Sequence, residues 1–112
     1  MEPIAQPALD AAIQKLWEKF LPQMEERIAT LERADAALAV DALTREQRSA
    51  ANAAAHKLAG VLGSFGLTRG TILAREAEIL YSGEPGTDPA AAAQLRAITA
   101  ELRLLIAARK AS

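Results

Sequence analysis

Apolar residues at helical spacing are the feature of this sequence that most restricts its fold. Within residues 8–40 they recur every three or four positions, as Ile13, Leu16, Trp17, Phe20, Leu21, Met24, Ile28, Leu31 and Leu38. The same spacing returns near the C-terminal end in Leu95, Ile98, Leu102, Leu105 and Ile106. This pattern is typical of helices that bury one face, and no alternating strand pattern competes with it. The sequence therefore predicts an all-α protein.

The first two predicted helices are bounded by proline, threonine and glycine signals. A proline inside a helix costs about 3 kcal/mol, yet the apolar stripe keeps its phase across Pro22. We therefore favour one long N-terminal helix kinked near Pro22 over a break into two helices. Thr44 and Gln47 fit a capping box that starts a second helix. That helix ends near residue 62 or 63, where Gly63 and Gly66 allow a left-handed turn with Phe65 as a hydrophobic plug beneath it.

Two further helices complete the predicted bundle. Thr68 is a candidate cap for a third helix, which places Leu73, Ala77 and Leu80 on one face. Residues 82–87 form a loop by composition. An N-cap aspartate followed by proline, Asp88-Pro89, then starts the fourth helix. Because the connections are short, we predict an up-down four-helix bundle that forms one domain over residues 1–112.

Composition and charge exclude several functional classes. The chain has 112 residues, a formal net charge of −1 and no cysteine. It therefore lacks the basic footprint of a nucleic-acid-binding protein and cannot form disulfides or thiolate metal sites. No segment approaches the roughly 20 apolar residues of a membrane span, and residues 1–5 lack the pattern of a signal peptide. We expect a cytoplasmic protein that does not bind membranes.

His56 is the only histidine, and helical geometry places it opposite the predicted core. At about 100° per residue, the apolar positions of the second helix (Ala51, Ala54, Leu58, Val61 and Leu62) fall roughly 140–240° from His56. Asn52, Gly60 and Gly63 fall within about 40° of it. Glycines on such a face cost helix stability but leave room around the imidazole for another protein. The alternative is an ordinary surface histidine beside relaxed helix-end glycines, which is more plausible for Gly63 than for Gly60.

The chemistry open to this face is limited. Metal sites need several ligands, and the positions four residues from His56 hold Asn52 and Gly60, so we predict no metal site. A serine-type triad lacks a nucleophile and an orienting carboxylate on this face; Glu76 and Glu78 lie on the next helix, where sequence cannot place them. The remaining choice is the imidazole itself as nucleophile. A neutral imidazole can accept a phosphoryl group and pass it on, with Mg²⁺ and charge stabilisation supplied by a partner.

The residues around His56 also carry a family resemblance. The run His56-Lys57-Leu58-Ala59-Gly60, followed by Gly63-Ser64-Phe65-Gly66-Leu67, resembles the core motif of histidine-containing phosphotransfer (Hpt) domains, His-x-Leu-Lys-Gly-x-x-Gly-x-x-Gly. Residues 73–80 are similar to the family's third helix. The motif covers residues 44–82, and the architecture covers the whole chain. The resemblance implies a four-helix bundle whose exposed histidine carries a phosphoryl group.

The resemblance also implies partners and site residues. The phosphoryl group would pass between a sensor histidine kinase or a phosphorylated receiver domain and a response-regulator receiver domain, without kinase activity in this chain. His56 would be the phosphorylated residue, and Gly60 and Gly63 would give clearance to the docking receiver. Asn52, Lys57 and Ala59 complete the docking residues that we predict.

One departure from the family pattern leaves an alternative function open. The family often has lysine three residues after the histidine, where this chain has Ala59. The long side chain of Lys57 can bring charge towards the phosphoryl group instead. The alternative is a helical interaction module that is not phosphorylated and docks a receiver domain or self-associates. Self-association is suggested by the long first helix with Trp17 and Phe20.

Overall fold

Four helices make up the regular structure. The computed structural model describes residues 5–83 and 86–111, which contain α1 (Ala5–Ala39), α2 (Arg45–Ser64), α3 (Thr68–Leu80) and α4 (Ala92–Ala111). A 3₁₀ turn, Pro89–Ala91, leads into α4. No strand occurs in these residues, so the all-α prediction is confirmed.

The helices form an up-down bundle. Each helix packs against the next one along the chain, and α4 packs back against α1. Arg103 of α4 forms two hydrogen bonds with Glu32 of α1, at 2.7 and 2.8 Å, and Arg109 donates to Gln14 at 2.8 Å. Because residue numbers rise along one helix as they fall along the other, α1 and α4 are antiparallel. This is the predicted bundle topology.

The first helix is unbroken at Pro22, which confirms one long helix over two short ones. Its core-facing residues begin at Trp17, which is fully buried. The ring of Phe65 packs edge-on against Trp17 with 5.2 Å between ring centroids, and the Arg109 guanidinium lies 5.0 Å from the Trp17 ring centroid. The bundle therefore covers Trp17 itself, which corrects the idea that this side chain is left over for self-association. Leu9 and Leu16, further towards the N-terminus, remain exposed.

The start of α2 follows the predicted signal, but the helix runs to Ser64, one residue beyond the predicted end, and Gly63 is helical. At the start, the Thr44 side chain accepts from the Gln47 backbone N–H, and the Gln47 side chain accepts from the Thr44 N–H, each at 3.0 Å. At the end, Gly66 adopts a left-handed conformation with φ of 74°. The Leu67 N–H then donates to the Leu62 carbonyl at 2.9 Å. Phe65 packs against the core beneath this turn as predicted.

The start of α3 differs from the prediction that Thr68 caps it. Leu67 occupies the cap position, and no side chain caps the helix there. The reason is the preceding turn: the Leu67 carbonyl already accepts the first helical hydrogen bond, from the Thr71 N–H at 3.0 Å. Thr68 is therefore the first helical residue rather than the cap.

The start of α4 agrees with the predicted aspartate–proline signal. The Asp88 side chain accepts from the Ala90 N–H at 2.9 Å, and Pro89 is the first residue of the 3₁₀ turn. The predicted loop over residues 82–87 is irregular where the structure describes it. Residues 84 and 85 of that loop, and residues 1–4 and 112 of the predicted domain, lie outside the described residues.

A buried polar cluster joins three of the helices inside the bundle. Asp35 of α1 is only 3% exposed. It accepts hydrogen bonds from the Tyr81 hydroxyl, at the C-terminal end of α3, and from the Thr99 hydroxyl of α4, each at 2.5 Å. Burial raises the pKa of Asp35, although the bonds from Thr99 and Tyr81 oppose that rise. The cluster fixes the end of α3 relative to α1 and α4.

Candidate functional site

The second helix presents His56 to solvent. Its side chain is 73% exposed, whereas Ala51, Leu58 and Leu62 on the opposite face are fully buried. This is the orientation predicted from about 100° per residue. The apolar face holds α2 in the bundle, and the packing thereby keeps the imidazole on the outside.

A carboxylate from α3 orients the imidazole. The His56 Nδ1 atom lies 2.9 Å from Glu78 Oε2. Because a carboxylate accepts hydrogen bonds and does not donate them, Nδ1 carries the hydrogen in this pair. In the neutral ring the lone pair then resides on Nε2, which is the nitrogen free for chemistry. The Asn52 side chain also donates to the Glu78 backbone carbonyl at 2.8 Å, which fastens α2 to α3 beside the pair.

Sequence reasoning did not place Glu78 relative to His56, although the turn at Gly66 gives a signal for their contact. The turn at Gly66 makes α2 and α3 antiparallel neighbours. His56 lies ten residues before Gly66 and Glu78 lies twelve residues after it, so the two are nearly equidistant from the turn. Residues equidistant from a tight helical turn lie at the same level of the hairpin, which makes them candidates for contact.

The two glycines of the motif have different surroundings. A methyl group added at Gly60 would meet no atom within 4 Å, so this position faces open space. A methyl group at Gly63 would lie 3.2 Å from Thr71 Oγ1. The Thr71 hydroxyl is held there because it donates to the Ala59 carbonyl at 3.1 Å. Gly60 thus leaves the surface beside His56 clear, whereas Gly63 allows the close approach of α3.

The predicted docking residues are not equally accessible. Lys57 and Gly60 are exposed beside His56, and Asn52 is half-buried through its bond to α3. Ala59 is only 4% exposed. The structure therefore corrects the prediction for Ala59: its methyl group belongs to the core and does not face a partner.

An open groove of about 500 Å³ separates His56 from the first helix. Its α2 side carries His56, Lys57, Gly60, Val61 and Ser64, and its α1 side carries three residues that sequence reasoning missed, Phe20, Gln23 and Arg27. The groove combines apolar walls at Phe20 and Val61 with positive charge at Arg27 and Lys57. Such an open, mixed surface suits contact with another protein better than enclosure of a small molecule.

A serine-type triad and a metal site have less structural support at this face than a nucleophilic imidazole does. Ser64 lies eight residues from His56, about 12 Å along the helix, and its hydroxyl donates to the Gly60 carbonyl at 3.1 Å. It therefore does not complete a triad with His56 and Glu78. Within residues 5–83 and 86–111, no three His, Cys, Asp or Glu residues are grouped so that they could hold a metal ion. In the same ranges no helix is long and apolar enough to cross a lipid bilayer.

Comparison with known proteins agrees with these features. The family model described as Hpt domain matches residues 15–111. Protein RcaC of Microchaete diplosiphon is 31% identical over 93 residues, which are 83% of this chain and 14% of that protein. The chain thus spans about a seventh of the length of this relative. No solved structure matches the chain significantly.

Proposed function

The chain belongs to the Hpt domain family, and on that premise we propose that His56 is the residue that accepts and donates the phosphoryl group. The family's general role is histidine phosphotransfer in phosphorelays. The observation that carries the assignment is the pair formed by an exposed His56 and Glu78, 2.9 Å apart. It gives the chain's only histidine an oriented ring and a free Nε2 atom.

The pair supports a balanced phosphoryl transfer. A receiver domain that carries an aspartyl phosphate approaches the His56 face, and the Nε2 lone pair attacks the phosphorus atom. The N–P bond forms as the P–O bond to the aspartate breaks, and the departing electron pair stays on the aspartate carboxylate. The ring then carries a positive charge, which the Glu78 carboxylate stabilises through Nδ1–H. No proton needs to move.

Donation reverses these steps. A carboxylate oxygen of the acceptor's aspartate attacks the phosphorus atom, the N–P bond breaks, and its electron pair returns to Nε2. In both directions the transfer needs in-line access, which the open position beside Gly60 provides. The chain's role is to hold the imidazole in one tautomer and orientation at the surface.

The partners follow from the same proposal. We propose a response-regulator receiver domain as one partner and a sensor histidine kinase or a second receiver as the other, with Mg²⁺ supplied by the receiver. Lys57 and Gly60 would lie in the docking face, and Asn52 would act indirectly by keeping Glu78 in place. The carrier role without kinase activity and the cytoplasmic location remain predictions from the sequence.

Chemical labelling tests the assignment of His56. The chain is incubated with phosphoramidate and, separately, with each phosphorylated receiver domain of the same genome. We expect a phosphate that is stable in base and labile in acid, and its loss in the His56→Gln variant. Glu46→Gln, an exposed substitution on the same helix, should keep the label.

Two outcomes would contradict the proposal. Label that survives in His56→Gln would move the phosphoryl group elsewhere, and an unlabelled native chain with every donor would remove the transfer function. If receivers then still bound the His56→Ala variant as tightly as the native chain, the protein would be an interaction module that docks receivers without phosphate.

A further inference from the structure

His56 lies between opposite charges contributed by different helices. On the α3 side, Glu78 contacts Nδ1 at 2.9 Å. Away from Glu78, the groove beside His56 is lined by Arg27 of α1 and by Lys57 of α2. The imidazole therefore has a carboxylate at one ring nitrogen and two cations along the groove that it borders.

Neither cation is engaged within the part of the chain that the structure describes. Arg27 is half-buried and Lys57 is exposed, and neither forms a hydrogen bond or an ion pair with a described residue. Arg33, six residues further along α1, differs because it pairs with Glu26 at 3.3 Å. A half-buried guanidinium without a partner has its donors available to an anion that enters the groove.

Phosphorylation of His56 would create such an anion. A phosphoryl group carries close to two negative charges at neutral pH and several strong acceptor oxygens. A phosphoryl group on Nε2 would lie on the side of the ring away from Nδ1. It would therefore be kept apart from the negatively charged Glu78 carboxylate, which contacts Nδ1. A guanidinium offers a planar fork of donors that fits phosphate oxygens, and partial burial strengthens the attraction.

We propose that Arg27, assisted by Lys57, binds the phosphoryl group on His56. This inference rests on the proposed function. The family's usual lysine position holds Ala59, which is 4% exposed, so position 59 contributes no charge here. The positive charge would instead come across the groove from α1. The phosphorylated state would then be stabilised by contacts between two helices, α1 and α2, rather than by a single helix.

The ionisation of the bound phosphoryl group tests this inference. The chain is phosphorylated with phosphoramidate, and the ³¹P chemical shift of the phosphohistidine is followed against pH. A nearby cation favours the more highly charged form, so Arg27→Gln should raise the midpoint by about half a unit or more. The equilibrium for transfer from a phosphorylated receiver should move about threefold towards the receiver. Arg27→Lys keeps the charge and should restore most of both effects.

Matched variants separate local charge from general effects. Arg33→Gln removes the same charge from the same helix and should leave the midpoint unchanged, whereas Lys57→Gln should raise it less than Arg27→Gln does. An unchanged midpoint in Arg27→Gln, with normal phosphohistidine formation, would overturn this inference alone. Failure of the native chain to form phosphohistidine would overturn the proposed function, and the inference with it.

Discussion

Asp35 and Glu78 each accept hydrogen bonds from a neighbouring helix, and their surroundings differ greatly. Asp35 is 3% exposed and accepts from two hydroxyl groups inside the core. Glu78 is 28% exposed and meets an imidazole that is 73% exposed. Removing the partner of a buried polar group lowers the free energy of unfolding, whereas an exposed hydrogen-bonded or ion pair contributes little to that free energy. The comparison indicates that Asp35 supports the fold, whereas Glu78 contributes little to stability and is available for the proposed transfer at His56.

The largest effect should come from removing the buried carboxylate. Asp35→Ala leaves a cavity and removes the described acceptor of the Tyr81 hydroxyl, while the Thr99 hydroxyl can donate its hydrogen to the Leu95 carbonyl instead. We expect the free energy of unfolding to fall by about 2–4 kcal/mol, as measured by urea unfolding followed by circular dichroism. His56→Gln should change it by less than about 0.5 kcal/mol. Equal losses in the two variants would end the distinction between core and surface.

Removing the exposed carboxylate should give the opposite result. Without Glu78 the imidazole is free to rotate and to exchange tautomers, so Glu78→Ala should slow His56 phosphorylation by a phosphorylated receiver about 10- to 100-fold. The free energy of unfolding should change by about 1 kcal/mol or less. Glu78→Gln keeps an acceptor oxygen but loses the charge, so its rate of His56 phosphorylation should lie between those of the native chain and Glu78→Ala. A native rate in Glu78→Ala would show that the pair seen at 2.9 Å has no part in the transfer.

The fold was largely predictable because its signals are local. A capping box, an aspartate–proline start and a stripe at helical spacing each depend on residues within one or two turns of one another. The same locality explains the error at Thr68. The tight turn at Gly66 lets the Leu67 carbonyl begin α3, and no side-chain preference in the sequence reveals this geometry.

The site was predictable only as far as a single helix determines it. The angular position of His56 around α2 predicts that its side chain faces outward, but it does not predict which residues of α1 and α3 lie beside it. Ala59 is only about 60° from His56 around the helix, and it is buried because α3 packs on that side. Glu78 and Arg27 depend on how α3 and α1 are rotated about their own axes, which results from packing of the whole core. Contacts between helices were therefore missed, although the outward position of His56 was predicted.

A smaller effect is expected in the pH dependence of stability. Burial raises the pKa of Asp35 above its usual value, so the folded state binds the Asp35 proton more tightly than the unfolded state does. The resulting stabilisation is complete below about pH 4, the unfolded aspartate range, and is lost as pH rises through the folded pKa. As pH rises, the free energy of unfolding of the native chain should therefore fall relative to that of Asp35→Asn.

Urea unfolding of both proteins between pH 4 and pH 8 measures this shift. The contribution of Glu32 to the pH dependence of stability has the opposite sign, because its hydrogen bond with Arg103 lowers the pKa of the Glu32 carboxyl. It is present in both proteins, so its contribution cancels in the difference. A difference that does not change with pH would mean that the buried carboxylate titrates as it does in the unfolded chain.

A small gain in stability should come from replacing Gly60, where fold and function have opposite requirements. A methyl group there meets no atom within 4 Å, so Gly60→Ala should raise the free energy of unfolding by up to about 1 kcal/mol through helix propensity alone. The same methyl group would stand beside His56 on the proposed docking face. Transfer from a phosphorylated receiver should therefore slow by about tenfold, and labelling by the small donor phosphoramidate should slow less.

Gly63→Ala is the matched control for this prediction. Its methyl group would lie 3.2 Å from the Thr71 hydroxyl oxygen, so it must displace a contact between α2 and α3, and the gain in helix propensity should be reduced or lost. If Gly60→Ala is more stable and slower, the surface beside His56 keeps a glycine at a cost to the fold because a partner must approach it. If Gly60→Ala is more stable and equally fast, the clearance has no role in docking, and Gly60 is an ordinary surface glycine.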